Sequence, residues 1–350
     1  MTRIFLIRHA EAEGNIYRRA HGNYDGKITQ MGHVQIEHLR QRFNGEKIDH
    51  IYSSDLNRTI TTAKALSEPR GLPINTTPML REVNMGVWEG LAWGDIEHIA
   101  PKMSKLFGKD PINWRVDGGE SYEQVQSRMM RCLNEICEKH AGENVAVFSH
   151  GFAIRALMCR LLGVESHETH KVPYFDNSAV TLLIYDNGEF SALYQGDNSH
   201  LTDEISTFAR QTWWREKDER IKENLRYEKV ESSEEGISVN HLIHEIAEKL
   251  HLDIVYLAFL DDVPVGLFGL DIVDDRVGMF SYYYIKPEYD NRNFLDQFIG
   301  QAMFALYNLS KKVVQVKIPI ENEYAKSIFL MHGFKVISEG NVNLLEKEII

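Results

Sequence analysis

Two short runs of the chain, Ile4–Ile7 and Val145–Phe148, are apolar at every position, and each gives way within two residues to a histidine, His9 and His150. A strand with one wet face alternates apolar and polar residues. An unbroken apolar run bounded by polar ones is instead buried on both faces, the condition of a parallel sheet with helices on either side. The polar ends, Arg8–His9 and Ser149–His150, then fall at the carboxyl edge of the sheet, where open α/β folds collect their ligands. Arg8 placed anywhere drier would cost heavily without an anion to meet it. Parallel strands bring both histidines out at the same edge, where the two imidazoles can face each other.

The chain has 350 residues, more than one hydrophobic core usually organises, so two domains are expected. A net charge of −12 excludes a general binder of nucleic acid or acidic membrane, which needs a basic face, but leaves room for a local basic pocket. The 3 cysteines, Cys132, Cys137 and Cys159, have no zinc-like spacing and read as reduced thiols of a cytoplasmic protein. No signal peptide and no membrane span are read in the sequence.

The first half alternates strand-like and helix-like segments. A helix capped by Thr29 runs through Phe43, a short strand lies near 50–53, and Ser54 or Asp55 can cap a helix over Leu56–Leu66. A long helix begins near Ser121, and Asn187–Gly188 turns a hairpin. Such βα repeats predict an α/β fold, a three-layer, mainly parallel sheet. From Asp203 to about residue 224 the chain becomes charged, which predicts a connecting helix with Trp213 and Trp214 packed at a domain junction. The tail from residue 225 mixes antiparallel strands with helices, including one over Val239–Leu250, and reads as an α+β domain. The expected domains are 1–202, the connector 203–224, and 225–350.

Within the first domain, RHAEAEGN resembles the Arg-His-Gly signature of the histidine phosphatase superfamily, which includes cofactor-dependent phosphoglycerate mutases. The resemblance continues in order through Asn15, Arg19, Gly22, Asp25, Thr29, Gly32 and Gln35, then SSDLNRTITTA with Arg58, LREVNMGVWEG with Glu82, GGES, and VFSHG with His150. It implies a phosphoglycerate mutase-like fold and a pocket for a phosphomonoester. His9 would be the nucleophile that becomes a phosphohistidine, its other nitrogen donating to a backbone carbonyl. Glu82 would serve as general acid and then as base. Arg8, Arg58, Asn15, His150 and the helix start at Gly151 would hold the phosphate. Arg19 and His21 are candidate substrate contacts, His21 alternatively a plain loop residue. Ala10 and Ala12 stand where the family usually has Gly and Thr. No metal is implied.

Between Gly90 and Gly118 the chain lacks the Arg-rich, Pro-rich stretch that mutases place there, so hydrolysis of a small phosphorylated metabolite is expected, with phosphomutase chemistry as the alternative. The tail has its own resemblance: NEYAKSIFLMHGF and SYYYIKPEY are similar to motifs of GNAT-type acetyltransferases. That family's cofactor is acetyl-CoA, and a bifunctional phosphatase/acetyltransferase would use it. The cofactor loop falls on Asp290–Leu295, with Asn293 and Leu295 where glycines let backbone approach a pyrophosphate. Phe329 takes the place of the acid tyrosine. A fold kept for effector binding or for a homodimer fits these departures.

Overall fold

In the computed structural model, which describes residues 1–215, 223–230 and 252–349, the first apolar run is strand β1 (Thr2–Arg8). Strands β2 (His50–Ser53), β3 (Ile74–Thr76) and β4 (Asn144–Ser149) join it in parallel, and β5 (Val180–Asp186) and β6 (Glu189–Asp197) extend the sheet antiparallel. The six strands lie in the order β3-β2-β4-β1-β5-β6, which leaves β1 and β4 as central neighbours. Their register sets Arg8 opposite Ser149. The His9 N–H donates to the Ser149 carbonyl at 3.0 Å, so His9 and His150 both step off the same sheet edge.

Helices cover both faces, as unbroken apolar strands require. The helices of this half of the chain are, in chain order, α1 (Glu13–Ile16), α2 (Gln30–Arg42), α3 (Asn57–Arg70), α4 (Trp93–Ile99), which belongs to the second unit and packs on its first strand, α5 (Pro101–Lys109), α6 (Tyr122–Lys139) and α7 (Gly151–Leu161). Phe5, Ile7, Ala146 and Phe148 pack with Leu39, Phe43, Ala63 and Leu66 from α2 and α3. Alternate residues Ile4, Leu6, Val145 and Val147 are equally buried toward the opposite face, where α7 lies on β1. Helix α6 buries Val125, Met129, Leu133 and Ile136, a spacing that keeps one stripe inward. Ser121 and Gln124 close a reciprocal capping box at its start.

Two local expectations change. The start of α3 is capped neither by Ser54 nor by Asp55; the Asp25 carboxylate accepts the Asn57 N–H at 2.9 Å instead. Asp55 is taken by Arg81, bidentate at 2.6 Å, and so is not available as a cap. The predicted connecting helix is absent over residues 203–215, which form successive turns. There the side chains bond elsewhere: Ser206 Oγ donates to Asp176 at 2.6 Å and Thr207 Oγ1 donates to Glu11 at 2.9 Å. Such competing bonds draw the backbone out of a helix. Trp214 stacks on Phe208 and Trp213 meets Tyr174, all residues of the first unit.

The chain divides into two units. One comprises Met1–Asn15, Ala20–Gly90 and Ala100–Ile221; the other comprises Ile16–Arg19, Leu91–Ile99 and Lys222–Ile350. The second unit thus includes two segments that a single cut after residue 224 would have left with the first. Its sheet contains β7 (Leu225–Lys229), β8 (Ile254–Leu260), β9 (Val263–Ile272), β10 (Val277–Ile285), β11 (Val313–Pro319), β12 (Lys335–Ser338) and β13 (Val342–Glu348). The order is β12-β13-β11-β10-β9-β8-β7, and of the pairings only β10 with β11 is parallel. Helix α8 (Phe294–Asn308) buries Phe294, Phe298, Ile299 and Ala302 in a core with Phe268, Phe280, Val316 and Tyr17; α9 (Glu323–Met331) adds Phe329. Gly94 is required by this packing, because a Cβ there would stand 2.3 Å from the Leu225 carbonyl oxygen. The helix expected over Val239–Leu250 lies outside the described residues. Among those residues, no helix is long and apolar enough to cross a membrane.

Candidate active site

At the carboxyl edge of β1 and β4, the His9 and His150 rings lie with centroids 5.2 Å apart, and both are almost fully buried. Each is held by one nitrogen. His9 Nδ1 sits 2.7 Å from the Ala10 carbonyl, which can only accept; Nδ1 therefore carries the proton and Nε2 keeps its lone pair. His150 is the mirror case. Arg58 Nε donates to its Nδ1 at 3.1 Å, so the proton is on Nε2, a buried atom without a hydrogen-bond partner. One imidazole thus offers a nucleophilic lone pair, its neighbour an unused N–H donor.

Burial, followed by the positive charge of Arg58 and then Arg8, holds His9 well below the ordinary imidazole value. Burial and Arg58 do the same to His150. Both stay neutral at physiological pH. Arg8 Nη1 donates to the Phe175 carbonyl at 2.5 Å, while its Nε has no partner. Its pKa is lowered by burial against the opposing charges of Asp176 and Glu82. Gly151 admits this guanidinium: a Cβ there would lie 3.2 Å from Arg8 Nε.

Arg58 departs from expectation. Rather than presenting an open fork, its Nη1 donates to the Tyr24 carbonyl at 2.9 Å and its Nη2 to the Gly22 carbonyl at 2.6 Å. With Nε on His150, it ties the 21–24 loop to the imidazole and supplies charge rather than a full set of free donors. Burial lowers it to about 10, still a cation at neutral pH. The α7 amides are also engaged. Phe152 and Ala153 donate their N–H groups to the Glu82 carboxylate at 3.0 and 2.8 Å, and Val83 adds a third at 3.0 Å. The carboxylate expected to work as acid and base therefore rests on the helix end expected to hold phosphate.

The remaining expected residues divide. Asn15 Oδ1 accepts the Ala12 N–H at 2.9 Å, beside Asn177 Nδ2 at 3.3 Å. His21 Nε2 accepts the Gly26 N–H at 3.1 Å, and the ring lies 6.3 Å from His9, a position at the pocket that also serves the loop. Burial and Arg58 lower its pKa well below the ordinary value. Arg19 is built into the second unit, its Nη1 donating to Gln301 at 2.7 Å and its guanidinium lying 4.1 Å over Phe304. Its side chain packs on α8.

Several contributors were not singled out from sequence. Thr62 Oγ1 accepts the Ala10 N–H at 2.9 Å and donates to the Arg58 carbonyl at 2.7 Å, joining the two key segments. It sits inside SSDLNRTITTA, so a signal existed. Glu89, inside VWEG, accepts N–H groups from Asn23, Tyr24 and Met85 and shapes the loop around Arg58. Asn177 Nδ2 donates to the His9 carbonyl at 3.0 Å, and nothing in its local sequence marks it.

A model described as the histidine phosphatase superfamily (branch 1) matches residues 4–198. The Yersinia enterocolitica protein named "Probable phosphoglycerate mutase GpmB" is 33% identical over 210 residues, which is 57% of this chain and 95% of that protein. Of solved structures, Bacillus stearothermophilus YhfR is similar with a TM-score of 0.56 at 30% identity, covering 57% of this chain and 99% of its own. A mycobacterial glucosyl-3-phosphoglycerate phosphatase in complex with VO3 gives a TM-score of 0.53 at 26% identity, over 56% of this chain and 99% of that one.

Proposed function

The chain belongs to the histidine phosphatase superfamily, and from that premise we propose that it hydrolyses a small phosphomonoester through a phosphohistidine at His9. The observation that carries this reading is the pair of opposed tautomers, a lone pair on His9 Nε2 beside a free N–H on His150 Nε2. The phosphate dianion enters between Arg8 and His150, with Asn15 and the backbone at Gly151 alongside. His9 Nε2 attacks phosphorus as the ester P–O bond breaks, and the Glu82 carboxyl gives its proton to the leaving oxygen. Water then attacks phosphorus, Glu82 takes a proton from it, and the P–N bond breaks to release phosphate. Arg8 and Arg58 stabilise the charge that spreads over the equatorial oxygens, so the scheme requires no metal.

Hydrolysis is favoured over mutase chemistry because residues 91–117, with one arginine, Arg115, and two prolines, Pro101 and Pro111, lack the Arg-rich, Pro-rich stretch of the mutases. Wild type and His9→Ala should be assayed on p-nitrophenyl phosphate in EDTA, and wild type on 3-phosphoglycerate for 2-phosphoglycerate formation. Hydrolysis by wild type alone supports the reading. Isomerisation outrunning hydrolysis replaces it with a mutase.

For the second unit, a GNAT-like fold without acetyl transfer is the reading we favour. Strands β10 and β11 pair in parallel only from Val277–Phe280 and then both run on. At the head of α8, Asn293 adopts φ 55°, a conformation suited to glycine, and Phe329 is fully buried, with no hydroxyl to offer. Titration with acetyl-CoA should give no heat, and saturable binding with acetyl transfer would refute this.

A further inference from the structure

At the opposite, amino-terminal edge of the first unit's parallel strands lies a cluster unrelated to the phosphate pocket. His50 opens β2, His140 ends α6, and Glu143 precedes β4; one ligand atom from each lies within 4.8 Å of the others. The distances are tighter than that limit. Glu143 Oε2 is 3.0 Å from His50 Nε2 and 3.0 Å from His140 Nδ1. The two rings lie with centroids 3.8 Å apart and planes 32° apart, so their edges meet one oxygen from the same side.

We propose that His50 Nε2, His140 Nδ1 and Glu143 Oε2 form a binding site for a divalent transition cation of the zinc or cobalt class. Bonds of about 2.0–2.2 Å at right-angle to tetrahedral angles place neighbouring donors roughly 2.8–3.6 Å apart, which the two 3.0 Å separations already satisfy. Two imidazole nitrogens and one carboxylate favour such a metal over magnesium or calcium, which prefer all-oxygen sets.

The outer groups suit the role. The Tyr52 hydroxyl lies 2.9 Å from His140 Nε2, and Lys139 Nζ donates to that hydroxyl oxygen at 3.2 Å. In the metal-free protein the Glu143 carboxylate, which can only accept, faces Nδ1 at 3.0 Å, so Nδ1 carries the proton and the Tyr52 hydroxyl donates to Nε2. An arriving cation displaces that proton, and Nε2–H then donates to the phenol oxygen. The backbone around His140 is pinned as well: Thr2 Oγ1 donates to its carbonyl at 3.3 Å and accepts the Gly142 N–H at 3.0 Å. His140 is nearly buried, with 7% of its side chain exposed, whereas His50 at 36% and Glu143 at 43% are open to an arriving ion. On binding, the exposed His50 ring tilts away from His140 to admit the cation.

The site lies a full strand away from the chemistry. Glu143 and His150 flank β4, Asn144–Ser149, which at ~3.3 Å per residue separates them by about 20 Å. A metal here therefore fastens the end of α6 to the start of β2 and takes no part in phosphoryl transfer.

The test is cobalt titration of chelator-treated full-length protein, followed by its visible ligand-field absorption and by melting temperature, for wild type, His50→Ala and Glu143→Gln. Both substitutions are at exposed side chains, so the fold persists. Wild type is expected to develop the band at one equivalent and to melt higher with cobalt. Each variant should bind at least about tenfold more weakly and lose the thermal shift. Hydrolysis of p-nitrophenyl phosphate by the metal-free forms should agree within about twofold. No band in wild type, or equal bands and shifts in all three proteins, overturns the proposal; equal bands would place cobalt on other histidines, such as those of the phosphate pocket.

Discussion

Replacing Thr62 with valine removes one hydroxyl and almost no volume, yet that hydroxyl accepts the Ala10 N–H at 2.9 Å and donates to the Arg58 carbonyl at 2.7 Å. The Ala10 carbonyl in turn holds His9 Nδ1 at 2.7 Å. Thr62 is fully buried, so the Ala10 N–H loses its partner with no water to replace it. Leaving such a group unsatisfied costs about 1–3 kcal/mol, a fall in melting temperature of roughly 2–12 °C for a unit of this size. The catalytic effect has a different origin. A loosened Ala10 peptide no longer fixes the His9 ring, and misplacement by about 1 Å costs up to ~100-fold in rate. Steady-state kinetics on p-nitrophenyl phosphate should show kcat reduced about 10- to 100-fold with KM little changed, because Arg8 and His150 still bind the phosphate. Thr62→Ser keeps the oxygen and should stay within about threefold of wild type. If Thr62→Val melts lower but turns over at the wild-type rate, Thr62 is structural only and the positioning argument fails.

Glu82→Gln keeps an acceptor for the α7 amides but has no proton to exchange, so kcat should fall about 10²–10⁴-fold. Because p-nitrophenol leaves well unprotonated, the phosphoenzyme should accumulate and a burst appear; its absence, with all steps slowed equally, would argue against Glu82 activating water. Gly151→Ala sets a Cβ 3.2 Å from Arg8 Nε, and inhibition by inorganic phosphate should weaken about fivefold, one hydrogen bond's worth, unless Arg8 does not meet the phosphate. His9, His21 and His150 are held well below the ordinary 6.5, first by burial and then by the arginines. Below about pH 6.5 the unfolded chain therefore binds protons that the native one refuses. Stability is full above that pH and falls by about 1.4 kcal/mol per unit per histidine on acidification. Calorimetry from pH 7.5 to 5 should show a descending melting temperature, and a flat or rising one would place these histidines as charged groups in the native state.

The sheet order's central feature was legible early, since runs such as Ile4–Ile7 and Val145–Phe148 are stable only with both faces covered, and a histidine after each must lie at a strand end. Periodicity, caps and turn residues also marked α2, α6 and the Asn187–Gly188 hairpin, because those signals act over a few residues. Strand-end position could name His9, His150 and Arg8 as neighbours, and the family resemblance added Glu82, but neither could give each nitrogen its role. The His9 proton is assigned by the Ala10 carbonyl and the His150 proton by Arg58, partners set by loop geometry. The same limit explains the corrections. Residues 203–215 are polar enough for a solvated helix, but Asp176 and Glu11, far away in sequence, claim their hydroxyls. Arg19 belongs to a motif by spacing and to the second unit by packing on Phe304. His50, His140 and Glu143 share no motif at all, and only the start of two parallel strands beside the end of a helix brings them together. What the sequence determined by itself was whatever local pattern and burial can encode. What only the tertiary structure decided was which distant polar groups meet, because a buried donor or acceptor takes its partner from the whole fold.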